Sequence, residues 1–194
     1  MKRRDRVPSL RYVSELPLLP GEGRGEGKTL GYRPALRRRP LKLSVVDTVR
    51  VGVGYDIHRL VEGRRLVMGG IEIPHPKGLL GHSDADVVLH AVTDAILGAA
   101  GLPDIGDLFP DADPAYKDAD SRKLLAEAME KVRTKGFVVN NIDVIVHAEV
   151  PKLSPYKRQM ADSIAALIRV SADRVSVKAK TNEGLGPLGY ADAI

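Results

Sequence analysis

Cysteine is absent from all 194 residues. That excludes disulfide frameworks, zinc ribbons and thiol nucleophiles, and it confines any metal site to histidine and carboxylate ligands. No run approaches the roughly 18 uninterrupted apolar residues of a membrane span, so no membrane partner is expected. Aromatic residues make up 4% of the chain, too few to stack a series of bases. The net charge of +5 suggests nucleic acid only until it is divided along the chain. Residues 1–48 hold 12 Lys/Arg against 5 Asp/Glu, giving +7, and the remainder holds 18 against 20, giving −2. The body therefore has no basic stripe, and no nucleic-acid partner is expected. An apolar content of 43% is enough to build one domain core.

Residues 1–48 are broken by Pro17 and Pro20, by the alternating glycines from Gly21 to Gly27 and by Arg37-Arg38-Arg39-Pro40. Such punctuation predicts a disordered basic extension of residues 1–48 ahead of a single domain of residues 49–194. Five acids and only Ser9, Ser14 and Ser44 argue against a transit peptide. The expected location is the bacterial cytoplasm, and a plastid if the segment is a transit peptide after all. An upstream extension, with translation starting near Val45 or Val46, is the alternative to targeting.

Within the body, Val49, Val51 and Val53 alternate as a strand, and short strands are expected at 65–68 and 71–73. Helical spacing of Val88, Ala91, Val92, Ala95, Ile96 and Ala99 predicts a helix over 86–100, stopped by Gly101 and started by a capping box of Ser83 and Asp86. A second helix is expected over 121–135, and a long strand over 138–148. Ser154, with Pro155 in the first turn, is expected to cap a third helix, and 174–179 alternates as a strand. The mixture indicates an α+β or α/β layered protein without internal repeats.

Four groups of residues carry chemistry. Asp56-Ile57-His58 follows the first expected strand, and side chains two apart in extended backbone project to one side, so the carboxylate and imidazole can converge on one ion. His90 can supply a further ligand, with Asp86 or Asp94, four residues away on the same helical stripe, orienting it. Such a set with an open position suits zinc, although each histidine taken singly also fits a solvated or core position. Gly81-His82-Ser83-Asp84-Ala85-Asp86 gathers small polar residues at a helix start, where anions bind; capping alone explains it equally. The acidic loop of Asp104, Ile105, Gly106, Phe109, Pro110, Asp111, Ala112 and Asp113 can meet sugar hydroxyls or a cation, or simply turn the chain. In the stretch from Lys178 and Lys180 through Thr181, Asn182, Glu183 and Gly184, Thr181 can donate to a phosphoryl oxygen and Glu183 can hold Mg²⁺. Ile57 stands where a dinucleotide fingerprint needs its third glycine, which rules out a Rossmann cofactor.

Taken together, Gly52-Val53-Gly54-Tyr55-Asp56-Ile57-His58-Arg59-Leu60, Gly78-Leu79-Leu80-Gly81-His82-Ser83-Asp84-Ala85-Asp86, Asp104-Ile105-Gly106, Phe109-Pro110-Asp111, Pro151-Lys152-Leu153 and the residues 178–186 resemble the 2-C-methyl-D-erythritol 2,4-cyclodiphosphate synthases of the non-mevalonate isoprenoid pathway. The resemblance spans Val49 to about Gly186. It implies an α+β fold, a four-stranded mixed sheet packed on helices, and a homotrimer with active sites between adjacent subunits. It also implies a phosphorus–oxygen lyase in which the 2-phosphate of 4-diphosphocytidyl-2-C-methyl-D-erythritol 2-phosphate attacks the β-phosphorus and releases CMP.

By the same resemblance Asp56, His58 and His90 bind Zn²⁺ or another divalent transition metal, and Glu183 binds Mg²⁺ with the substrate diphosphate. His82 and Thr181 stabilise the transition state. Asp56, His58, His82, Ser83 and the residues of the acidic loop contact substrate, and Lys180, Thr181, Asn182 and Glu183 are expected to line the nucleotide site. Ala148, Pro151, Lys152, Leu153 and Ser154 shape the cytosine pocket. Two departures stand out. Gly186-Pro187-Leu188-Gly189-Tyr190 replaces the family's Gly-Phe-x-Gly-Arg, and the sequence stops at Ile194 inside an expected final strand, roughly ten residues early, a substantial part of one average strand and its margin. An incomplete final strand predicts an exposed sheet edge and weaker trimerisation. The alternatives to the lyase are a metal-dependent phosphoesterase using an activated water, and an inactive truncated paralogue whose basic arm binds nucleic acid.

Overall fold

The structure is a computed structural model that describes residues 49–110 and 112–194; the expected extension of residues 1–48 lies outside the described residues. Its elements follow the chain as β1 (Leu60–Glu62), β2 (Leu66–Met68), β3 (Ile71–Ile73), β4 (Lys77–Leu79), α1 (Val87–Ala100), α2 (Ile105–Leu108), α3 (Ser121–Thr134), β5 (Ile142–His147), α4 (Lys157–Ile168), β6 (Val175–Lys180) and α5 (Gly186–Gly189). β2 and β3 form a hairpin closed by Gly69 and Gly70, both at positive φ, as a tight two-residue turn requires. β1 pairs antiparallel with β4, and β5 runs parallel to β6 over all six residues, from Ile142 opposite Val175 to His147 opposite Lys180. The link between these parallel strands contains α4, the kind of crossover that parallel pairing demands.

α1, α3 and α4 bury their apolar stripes together with the hairpin. Leu89 and Leu97, Leu125 and Met129, and Met160 and Ile164 are inaccessible to solvent or nearly so, as are Leu66, Met68 and Ile73. α1 is the central element, and a single buried carboxylate fixes its start. Asp86 caps it by accepting from Val88 N at 3.1 Å and Leu89 N at 3.0 Å, and it also takes Gly69 N at 2.8 Å and Gly70 N at 2.6 Å. The hairpin turn is thereby pinned to the helix start. Burial pushes the Asp86 carboxyl above the ordinary carboxylate value, against the opposing pull of those backbone donors.

Several expectations are corrected. Asp86, not Ser83, is the N-cap of α1; Ser83 Oγ instead accepts from Ala85 N within the preceding turn. Ser154 and Pro155 lie in the turn before α4, whose N-cap is Tyr156 without a side-chain cap. The long strand starts at Ile142 rather than 138. No four-stranded sheet forms among the described residues: the six strands pair as three separate ladders. Val49, Val51 and Val53 belong to no strand, and they are 79%, 86% and 88% exposed. They line one side of a groove of about 830 Å³ whose other walls are one face of α1, the segment 136–141 and the first residues of β5. In place of the expected final strand the structure has an isolated antiparallel bridge between Arg59 and Ala193, where His58 and Ile194 exchange two backbone bonds of 3.0 Å and Leu60 N donates to Asp192 O.

Asp86→Ala strips two helix N–H groups and two turn N–H groups of their acceptor, and it should lower stability to urea by about 3 kcal/mol, with Asp86→Asn less damaging. A midpoint unchanged in Asp86→Ala would refute this role.

Candidate metal centre and active site

Glycine decides where the site forms. A Cβ on Gly54 would stand 1.9 Å from Ala91 O, and one on Gly52 equally close to Ala95 O, so residues 52–54 lie directly on the backbone of α1. That contact delivers Asp56 and His58, two and four residues on, to His90, which precedes Ala91 on the helix. Asp56 Oδ1 is held by the Ile57 amide at 2.8 Å, which leaves Oδ2 for the two imidazoles. Oδ2 lies 3.1 Å from His58 Nε2 and 3.0 Å from His90 Nδ1, and the two ring nitrogens are 3.2 Å apart. A tetrahedral ion with ligand bonds near 2.0–2.1 Å holds its ligands about 3.3 Å from one another, so this triangle has the size of one tetrahedral face. One acid and two imidazoles, all half-buried, fit a divalent cation and leave its fourth position open.

The electrostatics agree. Burial would raise the Asp56 carboxyl, yet hydrogen bonds from His58 and His90, and their charge, hold it well below the usual carboxylate range. Burial likewise opposes a charge on His90. Its bond to Asp56 and the charges of Asp56, Asp86 and Asp84 hold the imidazole above its ordinary value. This pocket is negative and concentrates positive charge at one point.

The far nitrogen of His90 is not oriented by Asp86 or Asp94, as the helical stripe suggested. Asp86 is committed to the hairpin turn, and Asp94 accepts from Ile105 N at 2.8 Å. Two hydroxyls take their place: Ser121 Oγ is 2.9 Å from His90 Nε2, and Ser83 Oγ is 3.2 Å away. Ser121 comes from the first position of α3 and escapes a reading by local spacing, because it meets His90 only through the packing of α1 on α3. Its nearest sequence signal is Asp120, the helix cap beside it.

The remaining candidates fall into two groups. Beside the triad, Gly81 packs against the His58 ring and the Nε2 of His82 is buried with no hydrogen-bond partner among the described residues. An imidazole edge of this kind, enclosed and unsatisfied, is an opening for a ligand oxygen. Asp104 caps α2 through Asp107 N, and Ile105 and Gly106 begin that helix. Phe109 is buried edge-on against Tyr116, while Pro110, Ala112 and Asp113 are exposed; Asp111 lies outside the described residues.

The second group surrounds the end of β6. Ala148 N donates to Lys180 O, and the Glu149 carboxylate accepts from Asn182 N at 2.8 Å and Gly184 N at 3.2 Å. Glu183 and Gly184 sit at positive φ, and the Thr181 hydroxyl donates to the Glu183 carboxylate. Leu153 is buried, whereas Lys152 and Ser154 are exposed and Pro151 is half-buried. Glu149 went unread in the sequence, since nothing in the spacing of 149 and 182 joins them. No side-chain hydrogen bond among the described residues connects this group to the triad.

A profile of the YgbB family matches residues 49–194. A relative from Bordetella petrii named 2-C-methyl-D-erythritol 2,4-cyclodiphosphate synthase is 59% identical over 145 residues, 75% of this chain and 90% of that protein. Among solved structures, a 2C-methyl-D-erythritol-2,4-cyclodiphosphate synthase in its CDP-bound form is 45% identical with a TM-score of 0.67, over 70% of this chain and 91% of that one. The bifunctional IspDF of Campylobacter jejuni is 46% identical with a TM-score of 0.72; the match covers 74% of this chain and 39% of that longer protein.

The triad should bind one divalent transition metal ion per chain, and His90→Ala should remove it, as measured by metal analysis after dialysis. Gly54→Ala touches no ligand, yet the backbone displacement it forces should weaken binding of Zn²⁺ by about tenfold or more, within the range seen when the support of a ligand is lost. Full metal content in both variants would contradict the assignment.

Proposed function

Given that the chain belongs to the YgbB family and is an enzyme of the kind its relatives are named for, a 2-C-methyl-D-erythritol 2,4-cyclodiphosphate synthase of the isoprenoid pathway, we propose the following division of labour among its residues. The substrate is 4-diphosphocytidyl-2-C-methyl-D-erythritol 2-phosphate. An oxygen of its 2-phosphate bonds to the β-phosphorus, the bond from that phosphorus to the bridging oxygen breaks, and CMP leaves with that oxygen. Nucleophile and electrophile belong to one molecule, so no protein nucleophile is needed. The observation that carries this reading is the convergence of Asp56, His58 and His90 at one point of ligand geometry.

A Zn²⁺ or similar cation held there would supply positive charge against the mutual repulsion of the phosphates, as would Mg²⁺ held by Glu183 with the diphosphate. The chain itself folds and aligns the substrate, an effect that reaches roughly 7–11 kcal/mol in well-oriented intramolecular reactions. The unsatisfied Nε2 of His82, and the Thr181 hydroxyl once Glu183 turns from it to Mg²⁺, bond oxygens on which charge builds. Ser83 and the residues 104–106 and 109–113 contact the substrate, with Asp104 and Gly106 on the ribose. Ala148, Pro151, Lys152, Leu153 and Ser154 form the cytosine pocket, with Lys180, Thr181, Asn182 and Glu183 at its phosphate end. The relative solved with CDP supports a cytidine nucleotide as the bound group.

No side-chain hydrogen bond among the described residues joins the two groups, and the assembly is a homotrimer whose active site combines one group from each of two neighbours. Leu185, Tyr190 and Val150, large apolar side chains exposed around the second group, are candidates for cover by such a neighbour. Residues 49–194 act as the catalytic domain. Among the described residues no helix is long and apolar enough to cross a membrane, and the proposed location is the cytoplasm.

The test is product analysis. Purified protein with the cytidyl substrate, Mg²⁺ and Zn²⁺ in ¹⁸O-labelled water should yield CMP and a cyclic diphosphate free of label, observed by phosphorus NMR and mass spectrometry. Thr181→Ala should slow turnover about 100-fold or more, the usual cost of losing a transition-state donor. Labelled phosphate in the product would replace this proposal with a hydrolase.

A further inference from the structure

We propose that Ser121 and Asp84 are positioning residues that set the proton of His90 on Nε2 and so reserve Nδ1 for the metal. The inference follows from counting hydrogens. Asp84 grips Ser121 twice, accepting from its backbone N at 3.1 Å through Oδ2 and from its hydroxyl through Oδ1. A carboxylate cannot donate, so the only proton of the Ser121 hydroxyl points at Asp84. The lone pairs of Ser121 Oγ therefore face His90 Nε2, 2.9 Å away, and a bond forms there only if Nε2 carries the hydrogen. Ser83 Oγ, 3.2 Å from the same nitrogen, can accept a second arm of that bond.

With Nε2 protonated, the neutral ring keeps its lone pair on Nδ1, the atom 3.0 Å from Asp56 Oδ2 and 3.2 Å from His58 Nε2. The opposite tautomer would turn an N–H into the ligand triangle and set two lone pairs against each other at Ser121. The relay is well walled off: Ser121 is 1% exposed, and loop bonds from Asp84 N to Ala119 O and from Asp118 N to His82 O stitch its two ends together. Hydrogen bonding of this kind at the far nitrogen of a ligating histidine fixes the ring and raises its donor strength. It also couples the metal ligand to α3, an element that supplies no ligand itself.

This inference rests on the metal reading of the triad, and its test separates the two. The measurements use the full chain and Zn²⁺ alone, with no substrate. Competition with a chromophoric chelator should show Ser121→Ala binding Zn²⁺ about 10–100-fold more weakly than the unsubstituted protein, with Ser121→Thr restoring it. Long-range ¹H–¹⁵N NMR of the unsubstituted, Zn²⁺-loaded protein should show His90 as the Nε2–H tautomer, a readout that general loss of packing would not produce. Equal Zn²⁺ affinity in a folded Ser121→Ala, or an Nδ1–H tautomer in the unsubstituted protein, overturns the proposal; the NMR result stands even if Ser121→Ala does not fold. Failure of the unsubstituted protein to bind Zn²⁺ at all overturns the metal reading instead.

Discussion

The closest constraint in this molecule is the contact of Gly52 and Gly54 with the backbone of α1. Any side chain at either position would collide with a helix carbonyl at 1.9 Å, an overlap that only movement of backbone could relieve. Because the segment lies flush on the helix, Asp56 and His58 arrive beside His90 with their ligand atoms already 3.0–3.2 Å apart. The glycines thus act through geometry, although they touch neither ligand nor substrate. Asp86 supplies the complementary constraint from the other side by fixing where the helix begins and hence where His90, one turn later, projects.

Around this contact the protein places its polar groups in layers that need no reactive side chain. The triad gathers charge, Ser121 and Asp84 hold one of its rings, and the enclosed edge of His82 lies in the adjoining turn. A separate turn after β6, held by Glu149, presents Thr181 and Glu183. For an intramolecular phosphoryl transfer this is the appropriate distribution, since the reaction is accelerated by alignment and by compensation of charge. The absence of cysteine, and of any need for a Ser-His-Asp device, belongs to the same logic.

Much of this was legible in the sequence where the physical signal is local. The apolar stripe from Val88 to Ala99 and the stop at Gly101 predicted α1, two short runs predicted β2 and β3, and Asp56-Ile57-His58 suggested two side chains that converge, as they do beside His90. What escaped depends on packing between distant segments. β1 and β4 are three residues each, too short to show a period, and they exist because their backbones meet. Asp86 resembled part of a capping box with Ser83, but its second pair of partners, Gly69 and Gly70, is visible only once the hairpin sits against α1. Asp86 and Asp94 shared a stripe with His90, yet Ser121 from α3 won the bond because α1 and α3 cross there. The alternation of Val49, Val51 and Val53 suggested a strand, but these residues form none; they line a groove instead, because pairing needs a partner backbone that alternation alone does not supply.

The account stands on the claim that Asp56, His58 and His90 ligate one cation together. X-ray absorption at the zinc edge of the Zn²⁺-loaded full chain tests it most directly. The claim predicts a four-coordinate shell of light atoms at about 2.0–2.1 Å with the multiple-scattering signature of two imidazoles. A shell without imidazole scattering, or one with a single ring, would contradict it.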